Sequence, residues 1–303
     1  MAKNQIQNAK SNTWGNSWTE DKLNAFTKYV NAYLTIMNAN KKKYGWRTLY
    51  FDGFAGSGDL NKKGGISSAT PDNPLILDFG IEEAETKVYK GAAERILTLQ
   101  KKFDYYYFID LNGESLKKLE EKLRPFDISN RLQFREGDAN KYLKEMSATL
   151  KKDKKLKALV LLDPFGMQIN WESIEFLAGT ASDVWILIPS GVIINRLLDR
   201  KGELTNINKL CSFFGLTEDE IRKEFYTEKV SQTLFGEQTN IQKISEPIKK
   251  IADLYIKRLH GVWKYVSQEP LIMKNTRNVE IFHFAFASNN PAGLKIAKDI
   301  IGN

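Results

Sequence analysis

Thr48-Leu49-Tyr50-Phe51-Asp52-Gly53-Phe54-Ala55-Gly56-Ser57-Gly58 is the stretch whose reading decides the fold. An apolar run passes directly into a D-x-F-x-G-x-G turn, which predicts a buried strand ending in a glycine loop. Glycine at such a turn takes positive φ and lets a ligand approach the backbone with no Cβ in the way. No G-K-[ST] follows, so the turn is not a P-loop. The third glycine of the dinucleotide fingerprint is missing at its spacing. Taken alone, the turn could also be a tight strand-to-helix connection with no ligand.

Working outward, YYYFID (105–110), RLQFREGD (131–138), LKALVLLD (156–163) and DVWILIP (183–189) are further short apolar runs. Helical stretches lie among them at 91–102, 113–123, 140–150 and 171–179. Apolar runs alternating with helices predict parallel strands buried on both faces, a doubly wound α/β domain. Before them, Ser17 and Glu20 have capping-box spacing, and Leu23, Phe26, Val30, Tyr33, Leu34 and Met37 predict an amphipathic helix over 18–39. Residues 1–45 therefore read as an N-terminal arm and helix, and 46–303 as the main domain. Residues 59–90 are too long for an ordinary strand-to-helix loop, and 191–260 read as a mostly helical insert. VWKYVSQEP (262–270) and VEIFHFAFAS (279–288) are predicted to form a closing hairpin, followed by a helix near 292–300.

Acids stand where these strands end. Asp110, Asp138 and Asp163 close the second, third and fourth strands, and Asp52 the first. Ligands of open α/β sheets sit beyond the carboxyl ends of the strands. There, Asp110 could accept from ribose hydroxyls and Asp138 from an adenine amino group. Each acid separately could instead cap a helix; four in register with a glycine turn are harder to explain that way.

With these residues in place, the sequence resembles class I S-adenosylmethionine-dependent methyltransferases. DGFAGSG is similar to the family's first motif, FID to the second, EGDAN to the third and LLDPFG to the fourth. More narrowly, FDGFAGSG, FID, GDAN, LLDPFG and DVWILIPS in this order resemble the bacterial three-Cys-motif partner proteins over about residues 18–300. The resemblance implies a mostly parallel, seven-stranded, doubly wound sheet with a helical insertion. It implies S-adenosylmethionine as cofactor, with Asp52, Phe54, Gly56 and Gly58 around its methionine part, Asp110 at the ribose and Asp138 at the adenine. Asp163 falls where amino-methyltransferases carry the acid of (D/N)-P-P-(Y/F/W), which accepts from a base amine. Asp163, Pro164 and Phe165 are therefore the expected catalytic residues, although Phe165 replaces the second proline and Gly166 the aromatic. The implied activity is methyl transfer to a nucleic-acid base. The alternative is a non-catalytic or regulatory partner of a cysteine-rich protein on the same fold.

Composition agrees with that chemistry. The chain has 303 residues with one cysteine, Cys211, and two histidines, His260 and His283. It cannot form an internal disulfide, lacks the ligands of a structural zinc, and no metal site is expected. Methyl transfer relies on positioning and desolvation and needs none of these residues. The polar N-terminus has no signal-peptide core and no run is long enough to span a bilayer. A basic cytoplasmic protein away from membranes is expected. The net charge of +8 and the lysine runs at 41–43, 62–63, 101–102, 151–157 and 249–250 are compatible with a phosphate backbone. They are equally compatible with solvated helix ends. Lys62 and Lys63, on the 59–90 segment, and Arg196, after the fifth strand, are the expected substrate contacts.

Overall fold

A computed structural model describes residues 17–58, 91–127, 129–233, 236–275 and 277–302. The first strands are β1 (Arg47–Asp52), β2 (Tyr105–Asp110), β3 (Leu132–Glu136), β4 (Leu156–Leu162) and β5 (Ser182–Ile188). They lie in the order β3-β2-β1-β4-β5 and are all parallel. β10 (Glu280–Ser288) joins beyond β5 and runs antiparallel to it. The sheet is thus doubly wound and mostly parallel, as the sequence predicts.

The last position of the sheet is shared by two short strands. β8 (Tyr265–Val266) pairs with Ala287 and Ser288, and β9 (Leu271–Lys274) with the segment from Glu280 to Phe284. Among the described residues, seven positions are filled by eight strands. This corrects the hairpin expected at 262–270: only two of those residues pair. Trp263 is drawn into the core instead, at 1% exposure, and Pro270, which has no N–H to give a ladder, separates the two pieces.

Alternation along the strands builds two cores. Leu49, Phe51, Val160, Leu162, Val184, Ile186, Ala285 and Ala287 belong to one, largely aliphatic on the sheet side. Tyr50, Tyr106, Phe108, Leu159, Leu161, Trp185, Phe284 and Phe286 belong to the other. Successive side chains of a strand point to opposite faces, so one continuous apolar run serves both. The first core is covered by α4 (Ala139–Lys152), α5 (Trp171–Glu175), α7 (Ile207–Phe214), α8 (Glu218–Phe225) and α9 (Pro247–Leu259). The second is covered by α1 (Ser17–Tyr44), α2 (Ala92–Thr98), α3 (Gly113–Leu123) and α10 (Pro291–Ile301).

α1 runs to Tyr44, five residues past its expected end, because Lys41, Lys42 and Lys43 fill the last turn, where cations favour the carboxyl end of a helix. Phe26, Tyr29 and Tyr33 pack on Tyr50, Trp185, Phe103 and Phe286. Tyr29 Oη also donates to buried Asp183 Oδ2 at 2.7 Å, and Ser288 Oγ donates to Oδ1. The insert after β5 holds α6 (Asn195–Leu197), α7, α8 and α9, but also an antiparallel ribbon, β6 (Tyr226–Thr233) with β7 (Gly236–Lys243). The insert expected to be mostly helical over 191–260 thus also carries a strand pair at 226–243. Val230 and Ile241 of this ribbon are exposed, and its sequence carries no period-2 apolar pattern. Among the described residues no helix is long and apolar enough to cross a membrane.

Candidate functional site

The glycine turn is pinned between its neighbours. Gly53 N–H donates to Leu161 O at 3.0 Å and Ala55 N–H to Ile109 O at 2.9 Å. Asp52 is buried beneath it, 3% exposed. Its Oδ2 accepts from Tyr50 Oη at 3.0 Å and its Oδ1 from Phe54 N–H at 3.2 Å. Burial pushes the Asp52 pKa up to about 7; these two hydrogen bonds oppose the rise, and the charges of Asp163 and Asp110 add to it. Asp52 thus shapes the turn from below, while Phe54 packs on the aliphatic core.

Gly56 and Gly58 differ in what surrounds them. Gly56 has φ +58°, and a Cβ added there would meet none of the described residues within 4 Å. Its N–H donates to Asp110 Oδ2 at 2.8 Å, and Asn112 N–H donates to Oδ1 at 2.8 Å. Asp110 therefore fixes the turn to the end of β2. Gly58, at φ +71°, is packed shut: its Cβ would lie 2.6 Å from Leu119 Cδ1 of α3. The Gly58 carbonyl accepts from Lys122 Nζ at 3.0 Å, and the same ammonium pairs with Glu94 at 3.0 Å.

At the end of β3, Asp138 is exposed and caps α4. Asn140 N–H and Nδ2 both donate to its Oδ1, at 2.9 and 2.8 Å. The capping role left open by the sequence is realised here. Asn140 also donates to Gln168 O at 2.8 Å and accepts from Asn170 N–H at 2.9 Å. It fastens the loop that follows β4 to the start of α4, a role nothing in its spacing announced.

The end of β4 holds the main surprise. Lys22 Nζ of α1 donates to Asp163 Oδ2 as a part-buried ion pair, with side-chain exposures of 8% and 24%. Asp163 Oδ1 takes no hydrogen bond among the described residues. Lys22 was legible in principle: it falls at i−4 from Phe26 and i−7 from Tyr29, on the buried stripe of its helix, where a lysine is out of place. Pro164 is buried, whereas Phe165 is 62% exposed and Leu111, beside Asp110, 74% exposed. Two large apolar side chains thus stand in solvent near the acids.

Asp110 and Asp163 are both close enough for their charges to act on Asp52, and Gly56 is bonded directly to Asp110. Arg196 is exposed on α6, which leaves the same edge of the sheet. Lys62 and Lys63 lie outside the described residues. Lys243 of the ribbon occupies Asn195 instead, its Nζ donating to Asn195 Oδ1 at 2.7 Å, with burial lowering its pKa to about 8. His283 is buried and bonded to Ser190 Oγ at 2.6 Å, inside the core.

No protein-family model matches this chain, and no curated protein does. Among solved structures, a protein from Legionella pneumophila is similar over 91% of this chain and 98% of its own, at 12% identity and a TM-score of 0.43. An S-adenosylmethionine-dependent methyltransferase from Clostridium acetobutylicum is similar over 85% of this chain and 91% of its own, at 10% identity and a TM-score of 0.34. Precorrin 8W decarboxylase from Methanobacterium thermoautotrophicum covers 50% of this chain and 73% of its own, at 12% identity and a TM-score of 0.23. With scores this low, the fold assignment rests on the strand order of this chain.

Proposed function

We propose that the protein is an S-adenosylmethionine-dependent methyltransferase acting on a nucleic-acid base. The observation that carries this reading is the backbone at Gly56. The turn has positive φ, no atom of the described residues within 4 Å of where a Cβ would stand, and an amide anchored to the acid of the next strand. Such a cradle supports close approach of a ligand to the backbone. Gly56 and Phe54 would hold the methionine part of the cofactor, Asp110 the ribose and Asp138 the adenine, with exposed Leu111 as an apolar neighbour. Asp52 supports the turn from beneath. Bound there, the cofactor supplies an electrophilic methyl group on a sulfonium.

The chain's own residues then have positional tasks. Asp163 Oδ1 and the Pro164 carbonyl can accept from an exocyclic amine, and Phe165 offers an exposed ring face to a base. Methyl transfer of this kind needs orientation and exclusion of water more than acid–base chemistry. Lys62, Lys63 and Arg196 remain the proposed contacts to substrate, and a cytoplasmic location belongs to the same reading.

Two measurements test it. Calorimetry should show S-adenosylhomocysteine binding one site per chain; no heat with either the cofactor or its demethylated product ends the reading. Transfer of tritiated methyl to total cellular DNA, RNA and protein should label nucleic acid. Label on protein alone would overturn the substrate assignment.

A second reading has its own observation. Asp163 is already engaged by an ammonium from within the chain, which suits a regulatory partner on a methyltransferase-like fold. The motif order resembles three-Cys-motif partner proteins, and a cysteine-rich protein would be its associate. Cofactor binding with no transfer to any fraction, together with capture of such a protein, would favour this alternative.

A further inference from the structure

The opposite edge of the sheet carries a feature the proposed activity does not use. Three helix-to-strand connections, 41–47, 101–105 and 151–157, lead into β1, β2 and β4, and the order β2-β1-β4 sets them side by side. Register and contacts confirm the juxtaposition: Leu49 pairs with Tyr105 and Arg47 with Leu156, Lys41 bonds Asp104, and Arg47 bonds Asp153. These 19 residues hold eleven Lys and Arg against two Asp, so the remainder of a chain of net charge +8 is close to neutral. Nearly all the basic excess of the molecule sits on one edge.

Helix termini explain part of this. Lys41–Lys43 and Lys151–Lys152 occupy last turns, where cations complement the helix dipole. Arg47, Lys101, Lys102, Lys154, Lys155 and Lys157 lie outside the helices. Asp104 and Asp153 are paired with Lys41 and Arg47, and the other nine cations form no ion pair within 4 Å among the described residues, Lys157 feeling Asp153 only at a distance. Such crowding of one sign is repulsive unless an anion covers it.

Aromatic rings stand among the cations. Tyr44, 44% exposed, stacks on Trp46 at 4.7 Å, and Tyr105 is 39% exposed. Lys43 Nζ lies 5.0 Å from the Tyr44 ring and Lys157 Nζ 5.5 Å from Trp46. Cations that track phosphates, with rings that accept bases, are the working parts of single-strand recognition.

We infer that this edge binds single-stranded nucleic acid, at a surface separate from the glycine turn. The six residues of β1 put the two about 17–20 Å apart at some 3.3 Å per residue, so the edge anchors a strand rather than presenting its bases for reaction. The inference does not depend on methyl transfer.

Fluorescence anisotropy with a labelled single-stranded 20-mer, across about 50–300 mM KCl, tests it. The wild type should bind with a steep salt dependence. Reversing four exposed charges (Lys42→Glu, Lys43→Glu, Lys154→Glu, Lys155→Glu) should weaken binding at least about tenfold and reduce the log–log slope by about 3, near 0.7 per phosphate contact. Tyr44→Ala should weaken binding several-fold and leave the slope unchanged. An unchanged slope in the fourfold variant overturns the inference. So does binding only to phosphatidylserine vesicles, which would make the edge a lipid surface. Circular dichroism checks that the variants fold, and S-adenosylhomocysteine calorimetry on the fourfold variant keeps this result separate from the methyl-transfer reading.

Discussion

Gly56 and Gly58 share a motif and a backbone sign, yet the two positions ask for glycine for different reasons. At Gly58 a side chain would collide with Leu119 of α3; at Gly56 it would meet none of the described residues. Gly56→Ala should therefore fold with a loss of about 1 kcal/mol from the left-handed backbone. Its affinity for S-adenosylhomocysteine should fall at least about tenfold, read by calorimetry. Gly58→Ala should lose more stability, about 2–3 kcal/mol as overpacking adds to strain, read by urea unfolding. Lys22 is the other residue whose meaning is local. It holds one oxygen of Asp163 and leaves the other for an acceptor, as an orienting partner would. Lys22→Met should lower methyl transfer by about ten- to a hundredfold while cofactor affinity changes less than threefold, and Lys22→Arg should restore part of the rate. Equal loss of both in Lys22→Met would show that it holds the fold rather than the acid.

Among the elements, α1 matters most, because it joins the core and the site. Its aromatic stripe covers the sheet face built by Tyr50, Trp185 and Phe286, and its first turns carry Lys22 to Asp163. Near the same end, Arg95 of α2 donates to Glu20 at 2.6 Å and to Asn24 at 2.8 Å, so α1 and α2 are tied where α2 departs from the glycine turn. At the other end of β5, Asp183 is buried, and burial raises its pKa. Tyr29→Phe removes one of its donors and should cost about 1–3 kcal/mol in urea unfolding, because an accepting oxygen stays buried without it. A change below about 0.5 kcal/mol would mean that the helix is held by packing alone. The ribbon β6–β7 contrasts with α1: Val230 and Ile241 stand exposed, and its sequence shows no apolar stripe.

For the whole molecule, the buried carboxyl group makes stability depend on pH. Asp52 titrates at about 7 in the folded chain and at the ordinary carboxylate value when unfolded. Between these the folded state binds the extra proton, so this contribution is complete below about pH 4 and is lost as pH rises through about 7. At about 1.4 kcal/mol per unit the loss is on the order of 4 kcal/mol. Asp52→Asn should therefore gain stability relative to wild type as pH rises from about 4 to about 8, in paired urea titrations; a constant difference would refute the assignment. Charge is divided across the fold in the same way, with acids collected at the carboxyl edge of the sheet and lysines at the amino edge. Sequence determined the alternation of strands and helices, because apolar runs of buried parallel strands and the 3.6-residue stripe of α1 are properties of neighbouring residues. It determined the glycine turn and the acids at four strand ends for the same reason. Tertiary structure alone decided that Lys22 meets Asp163 across 141 positions. It alone decided that Gly58 is closed by Leu119 where Gly56 meets none of the described residues, and that three distant lysine runs form one edge. Each of these depends on which strands become neighbours, and strand order is a long-range outcome of packing that no local pattern encodes.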